Sequence, residues 1–193
     1  MTQVTIFGTG NMASAIASVL GKGGANVTQI SHAQASTATI EGDIVVFAVP
    51  YPAVAEIVAT HSPALAGKTV VDITNPLNFE TFDSLVVPAG SSAAAEIQAA
   101  LPNSAVIKAF NTNFAVTLTS GQVGETAATT VLIAGDDTAA KATLKAAIEA
   151  GGLGAIDAGS LQRAHELEAL GFLQLTLAAG EQISWASGFN VAR

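Results

Sequence analysis

The chain has 193 residues, of which 50% are hydrophobic, and it carries a net charge of −8. A chain of this size and hydropathy supports a well-packed core, and its acidic balance without a basic cluster argues against nucleic-acid and membrane partners. The sequence has no cysteine, which excludes disulfides, thiolate metal sites and thiol catalysis, and no metal site is predicted.

The first half of the chain alternates short apolar runs with segments bounded by glycine or proline. The run at 4–7 predicts a strand. The segment after Gly10 predicts a helix, because Met12, Ile16 and Leu20 recur on one face. Further strands are predicted at 27–30, 43–49 and 68–73, with a short helix at 53–59.

The second half continues this alternation. The predicted elements are a loop at 77–90, strands at 105–110, 129–134 and 155–158, and helices at 91–101, 138–150 and 160–180. Strands that alternate with helices favour parallel pairing, because each crossover lays a helix on the sheet. The pattern therefore predicts an α/β fold with a doubly wound, mostly parallel sheet and a C-terminal helical extension.

The turn between the first strand and the first helix has the sequence GTGNMA, residues 8–13. Its G-x-G-x-x-A spacing between a strand and a helix is typical of dinucleotide-binding Rossmann domains. In such domains Gly8 would permit the tight turn, and Gly10 would let a pyrophosphate approach the backbone. A purely structural turn is the alternative. We expect one Rossmann-like domain over 1–193, with a dinucleotide-binding core over about 1–150 and a C-terminal helix and tail over about 151–193.

The choice between NAD and NADP depends on the tip of the second strand. NAD-binding domains place an acidic residue there, but residues 2–40 contain no acid and the first is Glu41. Ser31 and His32 could instead hydrogen-bond a 2′-phosphate, which a carboxylate would repel. The sequence favours NADP as the cofactor, although no arginine is present there and His32 could be an ordinary surface residue.

The carboxyl ends of three predicted strands supply candidate ring-binding residues, because ligands of open α/β sheets bind at this edge. The residues are mostly apolar, with two amides: Ala48, Val49, Pro50, Asn75, Pro76 and Asn111. Such a surface suits a flat nicotinamide ring. Asn75 and Asn111 either orient its carboxamide or cap turns.

No persuasive set of acid–base residues is present, so the catalytic residues are unknown. Reduction of a ketone needs a proton donor beside the reacting oxygen, and the weak candidates are Tyr51 and His165. Lys108 is interpreted as a side chain that reaches solvent at a strand edge. A flavin or deazaflavin ring accepts hydride into a delocalised anion, so an acid-poor pocket favours such an acceptor.

The last helix is apolar nearly all round from Leu170 to Ala179, so several of its sides must be covered. A second copy of the chain is the simplest cover, and we expect a homodimer. A central core helix is the alternative. In the tail, Trp185 and Phe189 either close the substrate pocket or pack on the fold.

The chain carries no signal for export or membrane insertion. Its N-terminal residues enter a strand without the charged and apolar regions of a signal peptide. No apolar run reaches the ~18 residues of a membrane span. We therefore expect a soluble, cytoplasmic protein.

Several motifs taken together resemble the coenzyme F420-dependent NADP oxidoreductase family. They are GTGNMA, the Ser31-His32 tip, FAVP at 47–50, VDITNP at 71–76, KAFNT at 108–112 and DAGSLxxAxxLE at 157–168. KAFNT is also similar to the cytosolic reductase domain of the six-transmembrane metalloreductases. The resemblance spans essentially the whole chain.

This resemblance implies a dimeric Rossmann domain that exchanges hydride between NADP(H) and a flavin-like ring, with a flavin or F420 as co-substrate. It implies pyrophosphate contacts from Thr9, Asn11 and Met12, and 2′-phosphate contacts from Ser31 and His32. It also implies a nicotinamide site lined by Ala48, Val49 and Pro50, with Asn75, Pro76 and Asn111 nearby.

Three functions remain open from the sequence. The first is an NADPH-dependent reductase that passes hydride to a flavin, a deazaflavin or a similar flat small molecule. The second is a reductase of a small imine or carbonyl, with Tyr51, His165 or water supplying the proton. The third is an NADP-binding sensor without chemistry, because a Rossmann fold alone does not establish an activity.

Overall fold

A seven-stranded sheet organises the computed structural model, which describes residues 2–125 and 127–191. The strands are β1 (Gln3–Phe7), β2 (Asn26–Ile30), β3 (Ile44–Phe47), β4 (Thr69–Asp72), β5 (Ala105–Ala109), β6 (Gln122–Val123), β7 (Ala127–Ala128), β8 (Thr130–Gly135) and β9 (Gly154–Gly159). The sheet order is β2-β1-β3-β4-β5-β8-β9, and β6 and β7 form a separate antiparallel ribbon. The first five strands are parallel, whereas β8 runs antiparallel to β5 and parallel to β9. The mostly parallel sheet is thus confirmed.

Helices cover both faces of the sheet. They are α1 (Asn11–Lys22), α2 (Tyr51–Leu65), α3 (Ala93–Ala100), α4 (Ala115–Ser120), α5 (Thr138–Ala150) and α6 (Ala164–Ala179). The first core lies under α1, α4 and α5, and the second lies under α2, α3 and the start of α6. Strand side chains alternate between the two cores, so Ile6 faces the first and Phe7 faces the second. Among the described residues, no helix combines the length and apolarity needed to cross a membrane.

The structure differs from the sequence prediction in several short elements. α2 begins at Tyr51 and ends at Leu65, rather than spanning 53–59, because Pro52 is tolerated in the first turn of a helix, where its missing N–H is not needed. A 3₁₀-helix at His32–Thr37, α4 and the β6–β7 ribbon were not predicted. These elements are too short to show a clear hydrophobic period. The predicted helix at 160–180 begins as a 3₁₀ turn at Leu161–Arg163.

The topology places a crevice at the ends of the first three strands. β1 lies between β2 and β3, so the chain connections on its two sides run in opposite directions. Ligands of open α/β sheets bind at such a switch point, outside the carboxyl ends of the strands. α1 begins at this crevice, immediately after the glycine turn.

Candidate functional site

The glycine turn joins the ends of three strands. The Gly8 N–H donates to the Ile30 carbonyl (2.9 Å), and the Ala48 N–H donates to the Phe7 carbonyl (2.9 Å). Gly8 has a φ of +125°, and a Cβ on it would overlap the Ala48 carbonyl oxygen. Gly10 has a φ of −75°, and a Cβ on it would meet no heavy atom within 4 Å. The first glycine is therefore required by the fold, and the second leaves space in front of the α1 N-terminus.

A cleft of about 510 Å³ opens beside this turn. Most of the predicted cofactor residues line it: Gly10, Asn11, Met12, Ala48, Val49, Pro50, Asn75 and Asn111. Thr9 does not line this cleft and is exposed on the turn, whereas Pro76 is buried behind its wall. The side chains around the cleft carry no formal charge, so it suits an uncharged ring system.

A smaller depression lies on the other side of the glycine turn, between Gly8 and the 3₁₀-helix. Ser31 and His32 both line it, as the sequence predicts for residues that share one ligand. The Ser31 hydroxyl donates to the Gln34 side-chain oxygen (2.7 Å), which fixes the start of the 3₁₀-helix. The structure also brings Glu56 of α2 to this depression, a carboxylate that lies outside the acid-free segment of residues 2–40.

Asn75 and Asn111 form a mutually bonded pair at the floor of the cleft. The Asn75 side-chain amide donates to the Asn111 backbone carbonyl (2.9 Å), and the Asn111 amide donates to the Asn75 side-chain oxygen (2.8 Å). Asn111 also donates to the Leu167 carbonyl of α6 (2.8 Å). These bonds use the N–H groups of Asn111, so its side-chain oxygen remains available as an acceptor.

Three polar atoms in the cleft wall are buried and have no hydrogen-bond partner in the structure. They are Thr74 Oγ1, Asn111 Oδ1 and Asn113 Oδ1. A buried polar atom without a partner costs about 1–3 kcal/mol, so a bound donor, from an ordered water or a ligand, would stabilise this part of the protein. The sequence did not single out Thr74 or Asn113, although both stand within two residues of a predicted asparagine.

A strained backbone position and a close helix contact flank the asparagine pair. Phe110, at the end of β5, is fully buried with a φ of +63°, a conformation that costs about 1–3 kcal/mol for a residue other than glycine. On the opposite side, Gly171 lets α6 approach so closely that a Cβ would overlap the Asn75 side-chain oxygen. Strain of this kind is concentrated at functional sites.

A buried charge cluster lies behind the same wall. Asp72 of β4 and Lys108 of β5 are partners in the strand register, and their charged atoms lie 2.7 Å apart. Glu168 of α6 lies 2.8 Å from the same ammonium and accepts from the Ala93 N–H at the start of α3 (2.9 Å). Lys108 is 0% exposed because β5 lies inside the sheet, so its interpretation as a side chain at a strand edge was wrong. Burial raises the pKa of Glu168, and the Lys108 ammonium opposes this shift.

The two candidate proton donors lie in different places. Tyr51, the first residue of α2, lines the cleft. Burial raises the pKa of its hydroxyl, with smaller contributions from three carboxylates, so Tyr51 stays protonated at neutral pH. His165 does not line this cleft: its Nδ1 lies 3.0 Å from the Ser91 carbonyl, in a separate depression. The structure therefore brings only Tyr51 of these two to the cleft.

The C-terminal tail contributes an aromatic wall to the cleft. Trp185 lines the cleft and packs against Phe114, with ring centroids 4.8 Å apart. The Gly124 N–H donates to the Ala186 carbonyl (2.7 Å), and the Phe189 N–H donates to the Gln174 side-chain oxygen (2.8 Å). The tail is thus attached to both the β6–β7 ribbon and α6.

The fold and the cleft define a Rossmann-like α/β domain with a cleft at the carboxyl ends of its strands. Residues 28–76 match the family model for NADP oxidoreductase, coenzyme F420-dependent. This segment includes the Ser31-His32 tip, FAVP and VDITNP but neither the glycine turn nor KAFNT. The match confirms the resemblance to this family in that segment. No curated protein matches the chain in a sequence comparison.

Several solved structures share the fold. A protein of Arthrobacter sp. FB24, provisionally named an F420-dependent NADP reductase, has a TM-score of 0.85 and 24% identity, with 100% of both chains covered. Pyrroline carboxylate reductase of Plasmodium falciparum, solved with NADP bound, has a TM-score of 0.60 and 13% identity, covering 95% of this chain and 71% of that one. An imine reductase of Streptomyces aurantiacus has a TM-score of 0.63 and 16% identity, covering 94% and 63%. At these identities the likeness establishes the fold, and the predicted Rossmann-like architecture is confirmed.

Proposed function

We propose that this protein is an NADPH-dependent oxidoreductase that passes hydride to a flat, uncharged ring such as a flavin or deazaflavin. The observation that carries this proposal is the cleft itself. It begins at an open glycine turn, has uncharged and mostly apolar walls around the Asn75–Asn111 pair, and ends at aromatic side chains. The match of residues 28–76 to a family of NADP oxidoreductases supports the same activity.

The residues present fit a bound NADPH. Thr9, Gly10, Asn11 and Met12 would hold the pyrophosphate, because Gly10 leaves space at a helix N-terminus, where anions bind favourably. Ser31 and His32 would contact the 2′-phosphate in the depression they line; Glu56 lines it as well and would oppose the phosphate charge, so the preference for NADPH over NADH tests this placement. When bound, the cofactor supplies the hydride.

The nicotinamide end would lie in the cleft. Ala48, Val49 and Pro50 would face the ring, with Asn75 and Pro76 behind it. Its carboxamide would lie beside the Asn75–Asn111 pair, whose amide groups are held by the bonds to each other and to the Leu167 carbonyl.

The acceptor half of the cleft favours a flat aromatic molecule. Phe79 and Trp185 line it and are 56% and 51% exposed, so both have faces free for stacking. No lysine or arginine is among the described residues that line the cleft, so the anionic tail of F420 would find no counter-charge there. FMN and FAD also carry phosphate, so the cleft would recognise the ring of the acceptor, and a flavin ring fits there as well as the deazaflavin ring of F420.

A reductase of a small imine or carbonyl is the second candidate. The observation in its favour is Tyr51, which lines the cleft with its proton retained by a raised pKa. In such a reaction a general acid contributes about 100- to 10,000-fold to the rate. The two candidates differ in whether the Tyr51 hydroxyl is needed.

Turnover measurements separate these functions. Purified protein is mixed with NADPH or NADH and then with FMN, FAD, F420 or a cyclic imine, and absorbance reports oxidation of the cofactor. We expect NADPH oxidation that depends on flavin, with Tyr51→Phe changing the rate less than about threefold, because no general acid is required. A loss of about 100-fold in Tyr51→Phe would favour imine or carbonyl reduction.

Binding of NADPH without turnover of any acceptor would contradict both enzymatic functions and favour a sensor. Equal affinities for NADPH and NADH would show that Ser31 and His32 do not bind the 2′-phosphate.

We also propose that the protein acts as a homodimer in the cytoplasm. Leu173 of α6 is 50% exposed, and Leu170, Phe172 and Leu175 are only partly buried. Contact with a second α6 would cover these side chains. Light scattering should therefore give twice the mass of the chain, and Leu173→Glu should shift it to the monomer mass. A monomeric wild-type protein at micromolar concentration would refute the dimer.

A further inference from the structure

The Asp72–Lys108–Glu168 cluster contains more carboxylates than ammonium groups. Lys108 lies 2.7 Å from Asp72 and 2.8 Å from Glu168, and all three side chains are at most 1% exposed. Among the ion pairs of the residues that the structure describes, no second cation joins either carboxylate. When both carboxyls are ionised, the cluster therefore carries one uncompensated negative charge. Charges this deeply buried are screened little by solvent ions.

This cluster lies directly behind the wall of the cleft. The Asp72 carboxylate accepts from the Thr74 N–H (2.9 Å), and the Lys108 ammonium donates to the Thr74 carbonyl. Thr74 itself lines the cleft and carries one of its unpartnered atoms. Tyr51 lies on another part of the cleft wall, where burial is the main cause of its raised pKa and Glu96, Glu168 and Asp72 add smaller contributions.

The charge matters because hydride transfer changes the charge of the donor ring. A dihydronicotinamide ring is neutral. When its C–H bond breaks, the hydride carries both electrons to the acceptor, and the ring that remains is a cation. A fixed negative charge nearby stabilises the cationic ring relative to the neutral one.

We propose that the uncompensated carboxylate of this cluster makes the cleft favour the oxidised, cationic nicotinamide over the reduced ring. The inference rests on the proposed function, since it requires a nicotinamide in the cleft. Asp72 and Glu168 do not contact the reacting atoms through their side chains in this arrangement; both act through their electric field, and Asp72 also positions Thr74. The protein thereby favours donation of hydride by NADPH.

Binding of the two redox forms of the cofactor tests this inference. Dissociation constants for NADP⁺ and NADPH are measured by calorimetry at about pH 8, well above the ordinary pKa of a glutamate. Glu168→Gln removes the charge but keeps an oxygen for Lys108. Two charges about 10 Å apart at an effective dielectric constant of about 20 change an affinity about tenfold. We therefore expect Glu168→Gln to raise the ratio of the NADP⁺ to the NADPH dissociation constant about tenfold.

A matched control separates the effect of the buried carboxylates from the effect of surface charge. Glu166→Gln removes one carboxylate from the same helix, but Glu166 is a surface residue paired with Arg163, so the ratio should not change. Asp72→Asn removes the other buried carboxylate from a different element and should raise the ratio as Glu168→Gln does. It also serves as the second variant if Glu168→Gln does not fold, as judged by circular dichroism.

The outcomes distinguish the inference from the proposed function. If wild-type protein binds neither form, the proposed function fails and the inference fails with it. If wild-type protein binds both forms but the ratio stays within about twofold in the buried variants, the field proposal is overturned and NADPH binding stands. Equal weakening of both forms would show that the cluster has a structural role only, and would also overturn it.

Discussion

Replacing Lys108 with methionine is expected to lower the free energy of unfolding by about 3–5 kcal/mol. Methionine preserves most of the volume but leaves Asp72 and Glu168 facing each other without a cation, both at most 1% exposed. An unpaired buried charge is far more costly than a complete buried ion pair. Urea unfolding at neutral pH measures the difference. Lys145→Met is the control: its pair with Glu149 is exposed and 3.8 Å long, so we expect at most about 0.5 kcal/mol.

The loss of unfolding free energy in Lys108→Met, called the deficit below, should depend on pH in a defined direction. Burial already raises the pKa of Glu168, and removing Lys108 removes the group that opposes this shift. A carboxyl with a raised pKa in the folded state stabilises the fold below its unfolded pKa, and this contribution is lost as pH rises through the folded pKa. The deficit should therefore shrink as the pH is lowered towards about 5. A deficit below about 1 kcal/mol at neutral pH would show that the cluster contributes little to stability.

Replacing Gly8 with alanine is expected to destabilise the protein by about 3 kcal/mol or more. The new Cβ would overlap the Ala48 carbonyl oxygen, and alanine rarely adopts a φ of +125°. Because the Gly8 N–H bonds to the end of β2 and the Ala48 N–H bonds to the end of β1, the damage should extend to NADPH binding. Thermal unfolding and calorimetric titration with NADPH measure the two effects.

Gly10→Ala is the matched control for this substitution. A Cβ at Gly10 meets no atom, and the φ of −75° is ordinary for alanine, so stability should change by at most about 0.5 kcal/mol. The methyl group would nevertheless stand where we place the pyrophosphate, and we expect NADPH affinity to fall at least about tenfold. Unchanged affinity in Gly10→Ala would show that the glycine turn is only structural, which is the alternative that the motif leaves open.

The strength of the sequence patterns explains which parts of the fold they predicted. The strands of the main sheet were predicted because buried parallel strands appear as continuous apolar runs, and DIVVFAV and KTVVDI are of this kind. The glycine turn was recognised because its spacing and its strand–helix context are local. By contrast, α4 has six residues and β6 and β7 have two each, too few for a period to develop.

The candidate site was predicted where it depends on strand ends. Asn75 and Asn111 follow β4 and β5, which are adjacent parallel strands, so their proximity follows from the sheet order. The charge cluster had a weaker signal, namely a charged residue within each of two apolar strands. That signal indicates a buried pair only when the strands are known to be neighbours, and the third member, Glu168, comes from α6, 60 positions beyond Lys108.

The sequence by itself determined the alternation of strands and helices, the glycine turn and the mostly apolar and amide residues that follow the strand ends, because these depend on neighbouring residues. Only the tertiary structure decided that Lys108 is buried between two carboxylates, that Tyr51 rather than His165 reaches the cleft, and that Trp185 forms its wall. These outcomes depend on which face of α6 packs against the sheet and where the tail crosses the ribbon. Such contacts join residues far apart in the chain, and local hydrophobic periodicity carries no information about them.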